Sequence, residues 1–175
     1  MESTDRVLAR IAASQYGVIR IDQASQLGLS SDALEYRLRG GPWERLHRGV
    51  YRNLASPPTW KGTMMAACLT GGEGTAVSHR SAAALMGLPG GSTDLIEITC
   101  HRWRRSKYPF LIVHETKRME PGQSSTIDGI PSTTVERTLL DRFLPSEELH
   151  VGGGRIKHWY RRVLFDNNST LSLLS

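Results

Sequence analysis

Gly40-Gly41-Pro42 narrows the possible folds more than any other stretch of this chain. Two glycines followed by a proline cannot continue a helix, so an element must end there and a new one begin. The preceding residues read as that helix. Ser30 is a suitable N-cap, and Leu29 and Leu34 stand at the two positions of a hydrophobic staple. Leu34 and Leu38 then fall on one face, expected to be the core face. Ser31, Asp32, Glu35, Tyr36 and Arg39 share the opposite face. After the break, Trp43 to Arg52 reads as two short strands about a turn at His47–Gly49, where Gly49 can take a positive φ.

The residues before Ser30 supply the rest of a pattern. Residues 4–16 predict a helix with Val7, Leu8, Ile11 and Ala12 on one face and Gly17 ending it. Residues 18–21 form a short β-type run. Asp22 starts a short helix that closes at Leu27 before Gly28. Helix, strand, helix, tight turn, helix and hairpin is the order of a winged helix-turn-helix, whose second turn-helix element lies in the DNA major groove. On that reading Ser31, Asp32, Glu35, Tyr36 and Arg39 face base edges, with Asp32 and Glu35 suited to accept from cytosine N4 and Arg39 to pair with guanine. Arg45, His47, Arg48 and Arg52 of the wing reach phosphates. The competing reading is a small helical domain whose polar face is merely solvated.

Charge permits such a partner without requiring it. The net charge is +5. Residues 1–56 carry 8 basic and 6 acidic groups, residues 101–118 carry 6 and 1, and residues 119–141 carry 1 and 4. The densest cluster, His101 to Tyr108 (HRWRRSKY), is either a second strip of phosphate contacts or a solvated connection between strands. No apolar run approaches the ~20 residues of a membrane span. The start lacks the apolar stretch of a secretory signal, so a cytoplasmic location is expected. Cys68 and Cys100 lack the spacing of a metal site or disulfide framework and are expected to be buried free thiols.

The remaining chain predicts an α+β organisation in units 1–56, 57–141 and 142–175. A helix is expected over 59–70, a Ser78-capped helix after it, and strands at 95–100, with mixed burial, and 110–115. A turn at Asp128-Gly129 and a helix from about Thr133 to Leu140 follow.

Residues 11–52 resemble the N-terminal winged helix of AbiEi-type antitoxins from type IV toxin–antitoxin systems, and the resemblance extends over about residues 4–141. The resemblance rests on a helix, Gly17-Val18-Ile19, a short helix ending Leu27-Gly28-Leu29, and Trp43-Glu44-Arg45-Leu46-His47-Arg48-Gly49-Val50-Tyr51. The stretches at 78–90 and 128–141 are similar to the following segments of such proteins. The resemblance implies a winged helix that binds duplex DNA and represses its own operon. It implies a following domain that neutralises a nucleotidyltransferase-like toxin. It carries over to Ser30–Arg39 and Trp43–Arg52, and to no enzymatic residue. Longer relatives continue into an endonuclease-like domain of the very-short-patch-repair type. Here the text after Asp141 departs from the family, with Gly152-Gly153-Gly154 and Asn167-Asn168. A truncated or frameshifted tail, poorly packed, is expected.

An enzyme reading has one handle. Asp94 with Glu115 and Lys117 imitates the D…ExK pattern of magnesium nucleases, a pattern common by chance. The six histidines show no HxxxH pair and no ligand cluster, so no metal or cofactor is expected. His79 sits beside a cap and is expected to satisfy backbone groups. The alternatives to a DNA-binding antitoxin are therefore a shortened endonuclease relative and an inactive remnant.

Overall fold

The structure is a computed structural model of the 175-residue chain. It describes residues 4–25, 28, 30–103, 108–116, 119–143, 148–151 and 154–155.

The first part runs α1 (Thr4–Ala13), β1 (Val18–Arg20), α2 (Ile21–Ser25), α3 (Ser31–Gly40), β2 (Trp43–His47) and β3 (Val50–Asn53). Gly17 stops α1 by taking a φ of 82°, and its N–H donates to the Ala12 carbonyl at 2.7 Å. A Cβ there would also strike the Ser56 side chain, so glycine is required twice over. The Ser30 hydroxyl caps α3 by accepting from the Ala33 N–H at 3.2 Å. Leu34 and Leu38 are fully buried against Leu8, Ala12, Ile19 and Tyr51. The periodicity of α3 thus sets its inner face, as expected. Leu29, the other half of the expected staple, lies outside the described residues, as does Leu27.

The three strands form an antiparallel sheet in the order β1-β3-β2. Trp43 pairs with Asn53, Glu44 with Arg52 and Arg45 with Tyr51. The register then shifts, so that His47 pairs with Val50. Gly49 closes the turn at φ 74°. This is a winged helix-turn-helix, and the described residues together are α+β.

Thr59 caps α4 (Trp60–Gly71), its hydroxyl accepting from the Gly62 N–H at 3.0 Å. Then come β4 (Ala76–Val77), α5 (His79–Leu85), β5 (Ile96–Cys100), β6 (Leu111–Glu115), β7 (Ser124–Ile127), β8 (Ile130–Thr133), α6 (Val135–Phe143), β9 (Glu148–Val151) and β10 (Gly154–Arg155). A seven-stranded mixed sheet has the order β10-β9-β6-β5-β4-β8-β7, with β5–β6 and β4–β8 parallel. Sequence patterning leads to mixed burial for β5, but all five of its residues are buried. The strand is interior to the sheet, and both α4 and α5 pack on it, so even Glu97 and Thr99 are inside. Of the residues after Asp141, 148–151 pair antiparallel with β6, and 154–155 pair with β9. Residues 156–175 lie outside the described residues.

The two sheets share packing. Val18 and Val50 of the winged part sit in the main core with Met64, Ile98, Val113 and Ile130. Tyr16 donates its hydroxyl proton to the Asp128 carbonyl at 2.5 Å, and Arg20 reaches the Leu69 carbonyl at 3.1 Å. Cys68 and Cys100 are buried and free, and burial pushes each thiol up to about 12. Among the described residues no helix is long and apolar enough to cross a membrane.

Candidate nucleic-acid interface

Burying Leu34 and Leu38 turns the other side of α3 outward. Asp32, Tyr36 and Arg39 are exposed on it, and Tyr36 at 82% is the most exposed large apolar side chain among the described residues. A tyrosine left that open contributes nothing to the core and is available to a partner. Ser31 begins the helix, but its side chain lies outside the described residues.

Glu35 joins this face to the wing. Its Oε1 accepts from Arg39 at 2.6 Å and from the Tyr51 hydroxyl at 3.2 Å, and Arg45 Nη1 stands 3.8 Å away. The Arg39 hydrogen bond holds the Glu35 carboxyl below the usual carboxylate range, with smaller help from Tyr51 and Arg45. Glu35 is therefore ionised and engaged. It sets the positions of two arginines from two elements, rather than presenting an open acceptor to a base.

The four wing residues separate. Successive side chains of a strand alternate between the faces of a sheet. Arg45 lies on the α3 side, beside Glu35. Arg52, paired in register with Glu44, faces the other way: it donates to Glu44 at 2.5 Å and lines a cavity of about 160 Å³ with Tyr16, Pro58 and Thr59. Arg48 is exposed in the turn. His47 corrects the expectation of a phosphate contact. It is 7% exposed, its ring centroid is 3.9 Å from that of Tyr108, and burial lowers its pKa to about 4. A neutral, covered imidazole has neither the charge nor the access to meet a phosphate. The register shift between Arg45 and His47 accompanies that inward turn.

The basic connection is anchored by its aromatic residues. Trp103 and Tyr108 pack against the main core, and Tyr108 carries the contact to His47. Residues 104–107 lie outside the described residues. The nuclease-like trio is not assembled. Glu115 pairs in register with Cys100 at the end of β5, while Asp94 lies in the bend before β5 begins at Ile96. The length of β5, ~13 Å at ~3.3 Å per residue, lies between the two positions. Glu115 is occupied by the Trp103 N–H at 2.6 Å, Asp94 by the Ser92 hydroxyl at 2.9 Å, and Lys117 is outside the described residues.

The fold makes one constellation that sequence spacing misses. His79 at the start of α5, Glu97 on β5 and His114 on β6 are all buried, with potential ligand atoms within 4.8 Å of one another. His114 Nε2 is 2.9 Å from Glu97 Oε2, and the two imidazoles stack at 3.5 Å between centroids. Asp141 on α6 places Oδ2 4.0 Å from His79 Nδ1, and its Oδ1 accepts from Arg137 at 2.6 Å. Burial raises the Asp141 pKa and lowers that of His79 well below its usual value. So His79 does more than serve a helix cap. Separations of 18, 17 and 27 residues between these four positions match no local ligand motif. The available signal is polar residues inside apolar runs, Glu97 in Leu95–Cys100 and His114 in Phe110–Glu115.

The chain has no match among curated proteins. Residues 6–53, which span α1 to the end of the wing, match the family model described as "Transcriptional regulator, AbiEi antitoxin". Over these 48 of its 175 residues the chain is similar to AbiEi antitoxin transcriptional regulators.

Proposed function

We propose that this protein binds duplex operator DNA through α3 and the wing and represses its own operon. The carrying observation is that α3 leaves Tyr36 and Arg39 exposed, and that Glu35 on the same helix links Arg39 to Arg45 of the wing. Tyr36, Arg39 and the N-terminal Ser31 and Asp32 meet base edges in the major groove. Arg45 and Arg48 contact phosphates, and Arg52 stays with Glu44 as part of the wing's own structure. Glu35 acts as a positioning residue for both arginines. Residues 1–56 are the DNA-binding unit, and residues 57–141 engage a protein partner, a nucleotidyltransferase-like toxin. The protein works in the cytoplasm as a regulator and not as an enzyme. The separation of Asp94 from Glu115 supports that last point against the endonuclease reading.

The test is a selection on random duplexes with the parent, Tyr36→Ala, Arg39→Ala and Arg48→Ala, followed by salt titration of the winning sequence. Loss of a base-reading side chain should change the preferred sequence and weaken the parent's site roughly tenfold to hundredfold. Arg48→Ala should weaken all sequences alike and shallow the log–log salt slope by about 1. Unchanged preference and affinity in all three variants would remove DNA reading from this surface.

A further inference from the structure

We propose that His79, Glu97, His114 and Asp141 bind one divalent first-row transition cation, zinc in the simplest case, inside the second sheet's core. The four side chains come from α5, β5, β6 and α6, so the ion would tie two helices to two adjacent parallel strands. Ligand atoms of His79, Glu97 and His114 already lie within 4.8 Å of one another. Two ligands of a tetrahedral ion at 2.0–2.1 Å sit about 3.4 Å apart, so these ligand atoms have at most ~1.4 Å to close.

The donor set chooses the class of ion. Two imidazoles with carboxylates suit zinc and its first-row neighbours, whereas magnesium and calcium favour all-oxygen shells. Glu97 is 2% exposed, His114 2% and His79 3%, so water supplies little of what these groups need. Asp141, 8% exposed, is a separate pointer. Its Oδ1 is satisfied by Arg137, but its buried Oδ2 accepts no hydrogen bond and lies toward His79. A buried carboxylate oxygen without a donor calls for a cation. His79 holds its place at φ 51°, a conformation that a residue with a Cβ adopts at a cost and that its surroundings must enforce. The competing arrangement is a metal-free network in which one imidazole carries a proton between the carboxylates.

The full chain, stripped with a chelator, is titrated with zinc by calorimetry, and its melting temperature is followed with and without zinc. Cobalt(II) is then added in place of zinc, and its visible absorption and the ring-nitrogen chemical shifts of the histidines are recorded. The expected result is one ion per chain, a higher melting temperature with zinc, the intense absorption of four-coordinate cobalt, and metal-induced shifts at His79 and His114. Glu97→Gln and Asp141→Asn, which keep volume and hydrogen-bonding capacity, should each cut zinc affinity at least tenfold. The wild-type cobalt spectrum and histidine shifts decide the matter even where a variant fails to fold. The proposal is overturned by the absence of stoichiometric zinc binding. It is equally overturned by zinc affinity unchanged in both variants, or by metal-induced shifts confined to His101, His150 or His158.

Discussion

Glu35 on the outside of the winged part and Glu97 inside the second sheet each sit in a network drawn from several elements. Glu35 touches Arg39, Tyr51 and, more distantly, Arg45. Glu97 meets His114 at 2.9 Å, beside His79 and Asp141. The chemistry is alike and the solvent is not. Around Glu35, whose arginine partners are exposed, water competes with the ion pairs. Around Glu97, desolvation has already cost several kcal/mol, and each partner is needed to offset it. The outer network can therefore exchange partners with a phosphate or a base, which a binding surface requires. The inner one is fixed, as suits a structural centre.

The largest expected effect tests the inner network. Glu97→Ala should destabilise the fold by about 3–5 kcal/mol in denaturant unfolding, because it strands the His114 imidazole in a buried site. The same truncation at exposed Asp32 should change stability by less than about 0.5 kcal/mol. Equal effects at the two positions would erase the distinction between them.

The same contrast explains what the sequence makes legible. The face of α3 is visible in advance because Leu34 and Leu38 repeat at helical spacing, and Gly40-Gly41-Pro42 ends the helix in any context. Those are local signals, and local physics suffices. The wing is legible as a hairpin, but the direction of each side chain is not: one register shift separates Arg45 from His47. Burial of His47 depends on Tyr108, sixty-one positions away, which no periodicity announces. The polar edge strand β7 carries Ser124, Ser125 and Thr126, all exposed, and so gives no apolar alternation to find. Glu97 is hidden for the opposite reason. Alternation in residues 95–100 assigns it an outer face, and only coverage of the strand by helices makes both faces interior.

His47 carries the next largest effect, since it is the wing residue that belongs with the inside. Its pKa falls from 6.5 to about 4 on folding. Between those values the unfolded chain binds more protons than the folded one, so acid favours unfolding. Stability from this group is complete above pH 6.5 and is lost as pH drops toward 4, by on the order of 2 kcal/mol. His79 is shifted the same way by its burial and adds its own acid sensitivity. The parent should therefore lose stability from pH 7 to pH 4, measured by urea unfolding. His47→Phe, which keeps a ring against Tyr108, should lose visibly less over the same range. Identical pH profiles would mean that His47 is hydrated in solution, and the wing would regain a phosphate contact.

The smallest effect lies at Glu35, and it distinguishes positioning from reading. Glu35→Gln keeps the shape and an acceptor for Tyr51, but removes the charge that holds Arg39 and Arg45. Exposed ion pairs contribute little to folding, so the melting temperature should stay close to the parent's. Two consequences on DNA oppose each other. The arginines lose a fixed orientation, which weakens binding, and the phosphates lose a nearby negative charge, which strengthens it. The net change in affinity is expected to be within about threefold, with the salt slope deepened slightly because Arg39 and Arg45 become freer to meet phosphates. The preferred sequence should stay that of the parent. If Glu35 instead accepted from cytosine N4, the variant would relax preference at one base pair while keeping the salt slope. Selection on random duplexes resolves the two outcomes, and a relaxed position would return Glu35 to the residues that read DNA.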